Sequence, residues 1–190
     1  VEKIKKAFET VEQGDPLNPD TKIGASINEA QIKKVSHYMD IAKEEGATIL
    51  CGGERNMEGK LKKGYFFKPT LITNVKNDMR IAKEEIFGPV AVVIKFKTED
   101  EVIKMANDSD YGLGGGVWTK DITKAIRVSR AVETGRMWVN TYNQIPAGAP
   151  FGGYKKSGIG RETDLSILDA YTQTKNIFIN LSDESSGFYC

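Results

Sequence analysis

Cysteine, histidine and long apolar runs are what this 190-residue sequence has least of. Two cysteines, Cys51 and Cys190, are too few for a disulfide framework and fit a reducing compartment. The single histidine, His37, falls in a helical pattern, so it argues against a metal site built on histidine and is a poor candidate for ligand or base. No apolar run approaches the roughly 20 residues needed to span a bilayer, and there is no signal-peptide pattern; cytoplasm is the default location. Charge of one sign is missing too. Twenty-seven basic against 26 acidic residues leave a formal net charge of +1, which gives no electrostatic basis for binding nucleic acid or an anionic membrane. Small molecules or other proteins are the partners such a surface suits.

An initiator methionine and a helix cap are also missing at the start, where Ile4, Phe8 and Val11 already share one helical face. A segment before Val1 is therefore expected. Residues 14–19 force an irregular connector, because Pro16 and Pro19 remove donors and restrict the residues before them. Asn28 and Gln31 have the spacing of a capping box, opening a helix with Ile32, Val35, Met39 and Ala42 on one stripe and Gly46 at its end. Residues 47–51 form a short apolar run closed by Gly52 and Gly53, a candidate buried strand in which Cys51 reads as a small core hydrophobe rather than a nucleophile. Residues 64–75 are aromatic and β-branched, with Pro69 demoting their centre to an edge or a bend.

Residues 79–85 have helical composition, broken by Gly88 and Pro89, and residues 90–96 read as a strand. Thr98 and Glu101 make a second capping box ahead of Val102, Ile103 and Ala106. A strand over 114–119, a helix over 121–134 stopped by Gly135, and a strand over 136–140 follow. Strands alternating with helices predict an α/β fold, a mainly parallel sheet flanked by helices. Residues 176–181, NIFINL, alternate like a strand with no sequence partner nearby, so they either return to the sheet or pair with another chain at an open edge.

Backbone freedom is concentrated in residues 150–162, PFGGYKKSGIGRE, where Gly152, Gly153, Gly158 and Gly160 permit tight turns and close approach. The stretch is neither a P-loop, since no glycine stands immediately before Lys156, nor the dinucleotide fingerprint, since a third glycine is missing after Gly160. Taken alone, Glu162 reads as a capping acid in the first turn of a helix that carries Leu165, Ile167, Leu168 and Tyr171.

Two segments together are more specific than either alone: Glu84-Glu85-Ile86-Phe87-Gly88-Pro89-Val90 and the stretch ending Gly160-Arg161-Glu162. In order and separation, with ANDSDYGLGGGVWT and RMWVNTYN between them, they resemble signatures of the aldehyde dehydrogenase superfamily across essentially all 190 residues. Within it, NTYNQIPAGAPFGGYKKSGIGRET is most similar to bacterial NAD-linked enzymes for simple aliphatic aldehydes. The resemblance implies the catalytic-domain type of that fold with a C-terminal oligomerisation strand. It also implies a chemistry: a thiolate attacks the aldehyde carbon, fixed donors hold the oxyanion, hydride leaves to the nicotinamide, and a carboxylate-activated water hydrolyses the thioester.

By the same resemblance Glu85 would bind the hydroxyls of the nicotinamide ribose, as an acceptor-only carboxylate suits two O–H donors, and Phe87 would pack close to the nicotinamide ring. Phe151 would form part of an aromatic wall of the aldehyde channel, with Ile145 beside it from a variable loop. Glu162 would be a buried second carboxylate that orients water or passes protons toward the active-site base. In some betaine-aldehyde relatives, carbonyls matching Lys155 and Gly158 hold a potassium ion; no other metal site is implied.

The departures are equally informative. In the family the nucleophilic cysteine, the main general-base glutamate and the dinucleotide-binding domain all lie ahead of the helix with which this sequence begins, and neither Cys51 nor Cys190 occupies the nucleophile's motif. The expectation is a C-terminal part of the catalytic domain over 1–172 and an oligomerisation strand and tail over 173–190. It would be inactive by itself, and would belong to an NAD- or NADP-dependent homodimer or homotetramer acting on small aliphatic aldehydes. Gln173 stands where several relatives carry an acid at subunit contacts, which weakens any inference about salt bridges there. The alternative is a non-catalytic oligomerising module that keeps the fold. A generic nucleotide-binding α/β domain fails for want of a phosphate loop.

Overall fold

The computed structural model describes residues 1–184 and divides into two compact units, Val1–Asp110 and a second that begins at Tyr111. In the first unit, α1 (Glu2–Glu9) leads through the proline-containing connector to α2 (Glu29–Glu44). Asn28 starts α2 by accepting the Gln31 N–H on Oδ1 at 3.0 Å. Only that half of the expected capping box forms, because the Gln31 side chain turns to the Ile86 and Phe87 carbonyls. The helix buries Ile32, Val35, Tyr38, Met39, Ile41 and Ala42 against Phe67, Ile72, Val75, Ile81 and Ile86, and this stripe is the core of the unit.

The sheet beneath α2 has the order β1 (Thr48–Cys51), β2 (Thr70–Thr73), β3 (Val90–Val92). β1 pairs antiparallel with β2, and β3 pairs parallel with it. Two strand expectations change places here. Residues 48–51, expected to be buried, lie at the edge and are at best half-buried. The segment expected at an edge because of Pro69 is central, with Thr70, Leu71 and Ile72 at 0% exposure. Pro69 stands just before β2 rather than inside it, so no ladder bond is lost. One turn of helix, α3 (Arg80–Lys83), precedes β3, and α4 (Glu99–Asn107) follows with its Thr98–Glu101 capping box complete in both directions.

The second unit is built on a parallel pair, β5 (Gly114–Val117) with β6 (Arg136–Val139), joined through α5 (Ile122–Ala131) as a βαβ unit. Asp121 caps α5 by accepting the Lys124 N–H at 3.1 Å. A short antiparallel pair, β4 (Tyr111–Gly112) with β7 (Tyr154–Lys155), ties the glycine-rich stretch to this core. Gly135 has to be glycine, since a Cβ there would sit 1.6 Å from the Gly152 carbonyl oxygen. The last helix, α6 (Ile167–Tyr171), begins five residues after Glu162, so the expectation of Glu162 in its first turn is not met.

Residues 176–181 join no ladder among the described residues, and Ile177, Phe178, Ile179 and Leu181 are all exposed. A strand exists only where a second backbone supplies its bonds, and neither unit does so. Cys190 lies outside the described residues. Among those described, no helix is long and apolar enough to cross a membrane.

Candidate functional site

The turn after α3 separates two adjacent carboxylates that the sequence presents as equals. Glu84 accepts Arg80 Nε at 2.7 Å and Nη2 at 2.9 Å, and the Tyr38 hydroxyl at 2.9 Å. The Arg80 hydrogen bonds, and then the Tyr38 one, hold its pKa below the usual glutamate value. Glu84 is thus committed to holding α3 against α2. Glu85 is exposed and makes no hydrogen bond or ion pair among the described residues. Its two oxygens remain available as acceptors.

Between them and the next turn, Ile86 is buried in the core while Phe87 is 73% exposed, so the chain pins itself with one side chain and displays the next. Phe87 adopts φ 54°, a left-handed backbone conformation that costs a non-glycine residue about 1–2 kcal/mol. Gln31 Nε2 donates to the Phe87 carbonyl and holds it there. Gln31 is a residue the sequence shows only as a helix cap; its second role becomes visible only once α2 is laid beside this turn.

In the second unit the glycine-rich stretch folds back on itself. The Phe151 N–H donates to the Glu162 carbonyl and the Glu162 N–H to the Phe151 carbonyl, both at 2.9 Å. Gly160, at φ +84°, makes the return, and at Gly152 a Cβ would meet the Gly160 oxygen at 2.4 Å. Phe151 and Glu162 both line an open cavity of about 470 Å³, together with Arg161, Ile167 and Tyr171. Glu162 is exposed rather than buried, because it sits in an extended bridge instead of under a helix. Ile145 is 45% exposed and does not line this cavity.

Two residues of β6 that sequence reasoning passed over organise the loop between them. Arg136 donates to three backbone carbonyls, Gln144 at 3.1 Å, Ala149 at 3.2 Å and Pro150 at 3.0 Å, and its guanidinium lies 5.3 Å from the centroid of the Phe151 ring. Trp138, two residues on and so on the same face of the strand, donates Nε1–H to Gln144 at 2.9 Å. An arginine and a tryptophan at alternate positions of a strand that feeds a proline-glycine loop were the available signal.

Lys155, at φ 53°, pairs with Glu133 at 2.7 Å, and its carbonyl accepts the Gly158 N–H at 3.4 Å. No group of three His, Cys, Asp or Glu side chains among the described residues is arranged to hold a metal. Cys51 is half-buried after an irregularity at the end of β1, in a polar pocket with Gln13, Glu54, Asn56 and Glu58, and His37 is exposed on α2.

The chain matches the model of the aldehyde dehydrogenase family over residues 1–177. It is 46% identical, over its full length, to an acetaldehyde dehydrogenase of Pseudomonas aeruginosa, of which it covers 37%. Among solved structures it is similar to betaine aldehyde dehydrogenase from Staphylococcus aureus in complex with NAD+, with 43% identity, a TM-score of 0.92, all of this chain covered and 38% of that one. An apo point mutant of the same enzyme superposes with a TM-score of 0.94 at the same identity and the same coverage.

Proposed function

The chain belongs to the aldehyde dehydrogenase family, and from that premise we propose that it supplies the ribose clasp and part of the substrate wall for NAD-dependent oxidation of small aliphatic aldehydes to carboxylic acids. The observation that carries this reading is the division of labour between Glu84, tied into Arg80 and Tyr38, and Glu85, left exposed with both oxygens open. An open carboxylate beside an exposed aromatic ring fits a ribose diol and a flat heteroaromatic ring. When bound, the nicotinamide cofactor supplies the two-electron acceptor.

The chain's own residues then have distinct tasks. Glu85 accepts the two ribose hydroxyls, and Phe87, fixed by Gln31, limits where the ring can lie. Phe151 presents an apolar edge that keeps bulk water off the aldehyde. Glu162, held at a set distance from Phe151 by the backbone bridge, accepts a proton from water or passes one inward. The attacking thiolate comes from outside these residues, since Cys51 sits at the exit of β1 among polar side chains of its own unit. NAD is the proposed cofactor, as in the NAD+ complex of the solved relative, with NADP the alternative. Residues 1–172 would form part of the catalytic domain and 173–190 a subunit-pairing strand and tail, giving a homodimer or homotetramer in the cytoplasm.

The chain spans less than two-fifths of the relatives it matches, so the test compares two polypeptides. One is the 190-residue chain, and the other is the full-length Pseudomonas aeruginosa relative with its matching 37% replaced by this chain. The second should reduce NAD+ with acetaldehyde and the first should not. A fused protein that folds and binds NAD+ but oxidises no aldehyde defeats the reading, as does turnover by the chain alone. Assembly without turnover would favour the non-catalytic module, a reading motivated by the exposed apolar segment at Ile177–Leu181.

A further inference from the structure

Arg136 is half-buried, yet every partner it has among the described residues is neutral: three backbone carbonyls and the face of Phe151. Arg161, which lines the cavity itself, is in the same situation, donating to the Gly153 carbonyl at 3.0 Å and the Gly160 carbonyl at 2.6 Å with its guanidinium 5.5 Å from the Tyr154 ring. Against these two cations the cavity sets one carboxylate, Glu162, so an excess of one positive charge remains around it. Lys155 does not add to the excess, because Glu133 pairs with it.

We propose that Arg136 determines substrate charge, making the Phe151 wall select uncharged aldehydes and reject quaternary-ammonium aldehydes. The proposal rests on the aldehyde-oxidising reading above and narrows its substrate class. An aromatic face recognises a quaternary ammonium through its negative quadrupole. Here Phe151 lines the cavity while Arg136 lies over the ring from outside it, so that quadrupole already serves a cation. A second cation placed on the cavity side would stand about 10 Å from the guanidinium, where Coulomb repulsion at an effective dielectric of about 20 lowers its binding on the order of tenfold. An uncharged chain of the same size meets only the apolar ring.

The experiment compares kcat/KM for propanal with that for trimethylammonioacetaldehyde in the catalytically complete protein, unsubstituted and with Arg136→Lys and Arg136→Met. The unsubstituted protein should favour propanal. Arg136→Lys keeps the charge and should hold the ratio within about twofold, whereas Arg136→Met should lower it about tenfold, chiefly through the KM of the cationic aldehyde. A preference of the unsubstituted protein for the cationic aldehyde overturns the proposal without any variant. So does an unchanged ratio in Arg136→Met, or an equal loss in Arg136→Lys, which would make the effect one of loop geometry. A readout free of turnover uses the 190-residue chain: tetramethylammonium should give no saturable shift of the Phe151 ring resonances, and a saturable shift there overturns the proposal. Absence of turnover with both aldehydes would instead defeat the reading under Proposed function, leaving the resonance measurement to decide this one.

Discussion

Phe151 and Glu162 hold each other by backbone alone, N–H to carbonyl in both directions at 2.9 Å, so the spacing between an aromatic ring and a carboxylate does not depend on either side chain. The glycines between them serve this closure. Side-chain chemistry at both ends can therefore be altered without opening the loop.

Glu162→Gln should leave stability within about 0.5 kcal/mol, because the carboxylate is exposed, while lowering kcat of the complete enzyme by about tenfold to a hundredfold. Glu162→Pro removes the N–H given to Phe151 and should cost about 1 kcal/mol or more in urea unfolding. An unaltered kcat in the glutamine variant removes Glu162 from the chemistry.

Glu84 and Glu85 should separate cleanly. The pKa of Glu84 in the folded protein lies below its ordinary 4.5, so between those two values the unfolded state binds more protons than the native one. The stability from Glu84 is complete above pH 4.5 and disappears as pH falls through the folded value. Glu84→Gln should lower the urea midpoint at neutral pH and flatten its fall in acid. Glu85→Gln should change neither, and should raise the KM for NAD+ about tenfold, as expected for the loss of a charge-assisted hydrogen bond.

Phe87→Gly tests whether the displayed ring is kept for binding. Glycine adopts φ 54° freely, so relief of backbone strain offsets the lost side chain, and the melting temperature should stay the same or rise. NAD+ affinity, measured by calorimetry on the complete enzyme, should fall. A variant that binds NAD+ as well as the original would make Phe87 a bystander.

Residues after Lys175 carry the proposed subunit contact. Size-exclusion chromatography of the chain should show assembly that disappears when those residues are deleted, because Ile177, Phe178, Ile179 and Leu181 are exposed and lack a ladder partner among the described residues. Identical monomer elution for both forms counts against the contact.

Local signals decided much of this protein. Helix α2, the complete Thr98–Glu101 box, the Asp121-capped α5 and the strand after Gly135 all follow from periodicity and caps, which act over a few residues. Two signature segments were enough to name the family, because their spacing reflects a whole domain. What stayed hidden depended on which segment lies beside which. Pro69 could not reveal that the strand after it is central, since edge or centre is set by β1 and β3 arriving on either side. Adjacent Glu84 and Glu85 differ only because Arg80 and Tyr38 reach one of them. Gln31 beneath Phe87 and Arg136 over Phe151 are long-range meetings, and a residue's partner across the fold is written in the packing of both elements rather than in the residues around it.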